Sequence, residues 1–165
     1  MKLLAISLLS SVVITFAAVA AETPPLEASD LELAVGADWT GSLTYLNYQD
    51  PFVDFTIPAA LEVQATETGL QLAYKYPDEP HANSTIVAEI SQNGTQLMGE
   101  PIVSNLAMED GGRKVKTAFD CEDMGRPAAC EMTYSFSANE LRIKKMVTYE
   151  GEPEGFRRNE YVFTR

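Results

Sequence analysis

Through residues 38–165 apolar and polar side chains alternate with a period of two, the mark of strands with one buried face. Trp39, Gly41, Leu43 and Tyr45 share one face of the first run, and Thr40, Ser42 and Thr44 the other. Leu61, Val63 and Ala65 alternate with Glu62 and Gln64, and Glu67-Thr68-Gly69 predicts a turn. Leu70, Leu72, Tyr74 and Tyr76 run back from it, and Ile86, Ala88 and Ile90 oppose Thr85, Val87 and Glu89. Asn93-Gly94 is a strong hairpin signal, followed by a short partner over 95–98 and a break at Glu100-Pro101. Ile102, Leu106 and Met108 are expected on one side, with Ser104 between them as an exception. Cys130, Met132, Tyr134 and Phe136 alternate with polar neighbours. Leu141, Ile143, Val147 and Tyr149 follow, then a last strand carrying Tyr161 and Phe163.

These runs predict an all-β chain of about 8–10 antiparallel strands joined by short turns. Such an up-and-down meander removes its open edges by closing into a barrel. A sandwich needs longer crossing connections, which only 49–53, 77–83 and 121–130 offer. The barrel is expected over residues 38–165, behind a flexible leader, 21–37, with Pro24, Pro25 and room for one short helical turn. Residues 1–20 read as a secretory signal peptide: Lys2, an apolar run from Leu3 to Val19, and the small-x-small site Ala18-Val19-Ala20. The run is near the lower limit for a span, and no basic stop-transfer cluster follows, so no stable membrane anchor is predicted. The expected destination is the periplasm or the extracellular space, where Cys121 and Cys130 would form a structural disulfide.

Composition narrows the chemistry. Of 165 residues 45% are apolar, enough for a core, and 24 acidic against 12 basic side chains give a net charge of −12. Losing residues 1–20 removes only Lys2, leaving 11 basic against 24 acidic, or −13. That excess excludes charge-driven binding to nucleic acid or anionic lipid. His81, the one histidine, lies beside Asp78 and Glu79; a general base or weak metal ligand needs partners that the sequence does not place there, and a solvated loop is the simpler reading. The acidic turns at 109–110, 122–123 and 150–154 lack the D-x-D-x-D-G spacing of a calcium loop. Neither G-x-S-x-G, H-E-x-x-H, C-x-x-C nor a phosphate loop is present. No catalytic residue, metal or cofactor is assigned. The sequons at Asn83 and Asn93 carry little, since the second coincides with a turn.

Gly36-Ala37-Asp38-Trp39 at the head of the first strand resembles the lipocalin and calycin group, with Gly-x-x-Trp in place of that group's Gly-x-Trp. Trp39–Asp50 and Tyr76-Pro77-Asp78-Glu79-Pro80 are also similar to small exported bacterial proteins. The resemblance implies that Trp39 closes the barrel floor under an arginine of the last strand, with Arg157, Arg158 and Arg165 all open. It further implies an interior pocket for a small apolar molecule. The residues themselves place many aromatics inward. Core packing explains most of them, but nine or ten strands leave room inside and the tyrosine hydroxyls need partners. Leu43, Tyr45, Leu72, Tyr74, Tyr134 and Phe136 are the expected ligand wall.

The expected function is an exported protein holding a small hydrophobic or amphipathic molecule. Three alternatives stay open. One is a disulfide-stapled interaction module, such as an inhibitor of a secreted hydrolase, meeting a basic partner protein through 77–83 and 121–130. The others are an enzyme using His81 with Glu79, and a structural envelope protein.

Overall fold

A computed structural model describes residues 23–47, 49 and 53–165; the expected signal peptide lies outside the described residues. Ten strands run up and down: β1 Gly36–Leu46, β2 Asp54–Thr66, β3 Gly69–Lys75, β4 Ser84–Ser91 and β5 Gln96–Leu97, then β6 Glu100–Ala107, β7 Arg113–Asp123, β8 Arg126–Phe136, β9 Glu140–Tyr149 and β10 Phe156–Thr164. Each pairs with its chain neighbours, and β10 returns to β1 in register from Thr40↔Thr164 to Tyr45↔Asn159. The sheet is therefore a closed antiparallel barrel, as short connections require. It is consistent with the lipocalin-like architecture that the Gly36–Trp39 opening resembles.

The inward faces hold the core. Leu61, Val63, Leu70, Leu72, Ala88, Val115, Phe136, Leu141 and Phe163 are all buried on the faces that the period of two predicts. At one end the barrel is sealed. The 3-10 helix Ala28–Ala34 lies across β2, β3 and β8 and buries Leu31 and Ala34, while Leu26 is buried just before it. Polar contacts fix this segment: the Asn105 amide donates to the carbonyls of Pro24 (3.1 Å) and Pro25 (3.2 Å), and Asp30 pairs with Arg113.

Two expectations change. Leu106 is 58% exposed and Asn105 2%, because the β6–β7 register shifts between Ile102 and Ser104. One inserted residue exchanges the faces of everything after it, which also accounts for the interruption at Ser104. Glu100-Pro101 likewise begins β6 rather than breaking a strand; Pro101 sits beside Gln96 of the two-residue β5.

Residues 121–130 are not a loop. β7 and β8 pair up to Asp123↔Arg126, and Met124 (φ 52°) with Gly125 (φ 75°) make the two-residue turn. Two successive positive φ values suit the twist of a hairpin, and glycine takes the second without strain. Cys121 and Cys130 are joined across this ladder, with Cα atoms 5.8 Å apart. The expected staple is present, on strands rather than around a loop.

Candidate functional site: the barrel cavity

Away from the sealed floor the inward side chains no longer fill the barrel. The pairings Leu43↔Ile57, Tyr74↔Ser84, Tyr134↔Ile143 and Lys145↔Asn159 set which residues meet there. A cavity of about 230 Å³ lies among Tyr74, Tyr134, Met132, Ile143, Lys145 and Tyr161. A second, of about 300 Å³, lies among Leu43, Tyr45, Ile57, Tyr76, Glu79 and Ala82. Asn159 borders both. The second is overhung by the short 3-10 helix Pro80–Ala82, which carries His81 on the exposed surface.

A tyrosine cluster borders the two cavities, Tyr76 on the second and Tyr74, Tyr134 and Tyr161 on the first. The hydroxyls of Tyr76 and Tyr161 lie 2.7 Å apart in a hydrogen bond, and the Tyr161 ring is 5.0 Å from that of Tyr74 and 5.8 Å from that of Phe163. The Tyr134 hydroxyl donates to Met98 Sδ at 3.6 Å. Burial first, then the negative charge of Glu100, pushes the Tyr134 hydroxyl up to about 12. Burial likewise raises Tyr74, with Tyr134 and Tyr76 adding to it. Burial and then the Tyr76 bond raise Tyr161. These hydroxyls stay neutral donors and acceptors at any physiological pH.

The barrel wall has a lateral break beside the first cavity. β5 covers only Ile90 and Ser91 of β4, and β6 pairs with β7 only up to Thr117. Among the described residues, the β4 stretch 84–89 and the β7 stretch 118–123 thus have a strand partner on one side alone. Met98, in the turn between β5 and β6 (φ 57°), reaches over this break and lines the cavity with Ser84 and Ile86.

The six expected wall residues all face inward, at different depths. Leu43 and Tyr45 line the second cavity, and Tyr74 and Tyr134 the first. Leu72 and Phe136 are wholly buried nearer the floor and border neither. Trp39 lies in the floor, and of the three open arginines Arg165 is the one that covers it.

Lys145 and Asn159 are additions. Lys145 occupies an inward position between Ile143 and Val147, a break in the apolar alternation that could have marked it. Asn159 shares the face of Tyr161 and Phe163, two and four residues on, so the same count could have placed it; the β9–β10 register shifts only before it, between Arg157 and Asn159. That same shift buries Arg158, which pairs with Asp123 at the far end of β7 and lies 4.9 Å from the Phe156 ring. Asp123 also accepts from the Tyr149 hydroxyl at 2.8 Å. This pair caps a small second core of Phe119, Cys121, Ala128, Cys130, Val147 and Phe156.

Among the described residues no three His, Cys, Asp or Glu side chains gather closely enough to hold a metal ion, and no helix is long and apolar enough to cross a membrane. The chain matches no protein-family model and no curated protein sequence.

Proposed function

We propose that this protein is an exported carrier that holds a small hydrophobic or amphipathic molecule inside its barrel. The observation that supports it most is the contrast between the two ends. Trp39 and the 3-10 helix over 28–34 seal and pack one end, while away from it Asn159 borders two cavities with largely apolar walls. Their walls are mostly aliphatic and aromatic, with a few polar atoms to orient a ligand, the usual makeup of a small-molecule site. A cross-strand disulfide suits a protein working in an oxidising compartment.

The test is a titration of the purified protein with the neutral dye N-phenyl-1-naphthylamine, alongside native mass spectrometry of protein prepared without denaturant. Saturable dye binding is expected, weakened at least fivefold in Leu43→Asp or Ile57→Asp. Absence of saturable binding together with a bare native mass overturns the reading.

A further inference from the structure

We infer that the barrel is selective for anionic amphipaths, with Lys145 as the residue that binds the acidic head. The inference rests on the ligand-holding reading above and adds the ligand's charge and polarity pattern.

Charge pairing carries the argument. Lys75, Lys116, Arg113, Arg126, Arg142, Arg157, Arg158 and Arg165 each lie within ion-pair distance of a carboxylate. Among the described residues Lys114, Lys144 and Lys145 do not, although acids outnumber bases two to one. Lys114 is exposed, and Lys144 lies opposite Thr133 and Glu160 on the outward face. Lys145 alone of the three lines a cavity. Its strand neighbours are Met132 and Asn159, and the rings of Tyr74, Tyr134 and Tyr161 share its cavity.

Lys145 is half-buried with no carboxylate of the described residues within ion-pair distance, so a ligand carboxylate entering the cavity can pair with it in a charge-assisted hydrogen bond. Asn159 sits beside Lys145 with an amide that can donate to the same head, and it also borders the second cavity. From there Leu43 and Ile57 continue as an apolar track for a tail.

The experiment is competition between decanoate and 1-decanol for the bound neutral dye, at neutral pH, on the wild-type chain, Lys145→Met and Lys145→Arg. Decanoate is expected to bind the wild-type protein about ten- to a hundredfold more tightly than 1-decanol, the range of a charge-assisted hydrogen bond. Lys145→Met is expected to abolish that preference, so that decanoate binds no more tightly than 1-decanol to the same variant, and Lys145→Arg to keep it. Equal binding of both competitors to the wild-type protein, or a preference that survives Lys145→Met, overturns the inference and leaves the carrier reading standing. If neither displaces a dye that binds saturably, the inference fails alone; if the dye does not bind and the native mass is bare, both fail.

Discussion

The guanidinium carbon of Arg165 lies 4.3 Å from the centre of the Trp39 ring. From that position Arg165 donates through Nε to the carbonyl of Ala138 (2.7 Å), and through its two terminal nitrogens to those of Val35 and Leu33 (2.8 Å each). The Trp39 indole N–H donates to the Ala34 carbonyl at 2.8 Å. One side chain thus ties the last strand, the β8–β9 turn and the floor helix together. Gly36 leaves room for it: a Cβ there would run into the Arg165 guanidinium.

Arg165→Ala removes a cation–π contact and three charge-assisted hydrogen bonds, so it is expected to lower stability by about 2–4 kcal/mol. Arg165→Lys recovers less than half of that, since an ammonium cannot serve three carbonyls in the guanidinium's fork. Urea unfolding followed by the emission of Trp39, the single tryptophan, gives both values.

Leu31 is wholly buried although it precedes the first strand. Leu31→Ala is expected to cost about 2–5 kcal/mol, the range for a buried leucine emptied in a packed core. A loss below 1 kcal/mol in the same unfolding experiment would show that residues 28–34 are dispensable to the floor.

Opening the Cys121–Cys130 bond, by reduction or as the double serine variant, is expected to cost about 2–3 kcal/mol through the freed chain entropy of a short loop. Neither cysteine lines the two cavities that Asn159 borders. Dye affinity at neutral pH should therefore stay within about twofold while the urea midpoint falls.

The tyrosine cluster makes stability sensitive to alkali. Burial holds Tyr74, Tyr134 and Tyr161 protonated above their ordinary value near 10, Tyr134 up to about 12. The unfolded chain gives up these protons first, so the contribution is complete below about pH 10 and is lost as pH rises beyond it. Phenolate absorbance should rise together with unfolding above pH 10, and Tyr134→Phe should make the loss less steep. Full ionisation of all three with Trp39 emission unchanged would contradict this.

At the acid end the sign reverses for Glu160. Burial raises its carboxyl, but the hydrogen bond and charge of Arg142, then those of Arg157, outweigh it and hold the group below the usual carboxylate range. Its stabilisation is present above about pH 4.3 and is lost as pH falls through the lower folded value. Glu160→Gln should flatten the stability curve below pH 4.3 in the same urea assay.

Much of the wall was legible in the sequence, since a strand's side chains change face at every residue and a run such as Trp39, Gly41, Leu43, Tyr45 needs no tertiary information to be sorted. Legibility ended where the count slipped. The irregularities in β6 and β10 each insert one residue, and each moved polar side chains, Asn105 and Arg158, to buried positions that alternation assigns to apolar ones. By length 121–130 is one of the few stretches open to a crossing connection, but it forms the β7–β8 hairpin, and β8 takes Pro127 near its start.

The sequence by itself determined that the chain is a meander of strands joined by short turns, which faces are apolar, and that its two cysteines are close enough in the chain to be joined. These follow from local periodicity and spacing, which act over a few residues. Only the tertiary structure decided which arginine lies over Trp39, how deep each aromatic sits, and that Lys145 shares a cavity with Tyr74 and Tyr134. Those depend on register and closure between strands far apart in sequence, where one inserted residue reverses a face and the position along the barrel decides between core and cavity.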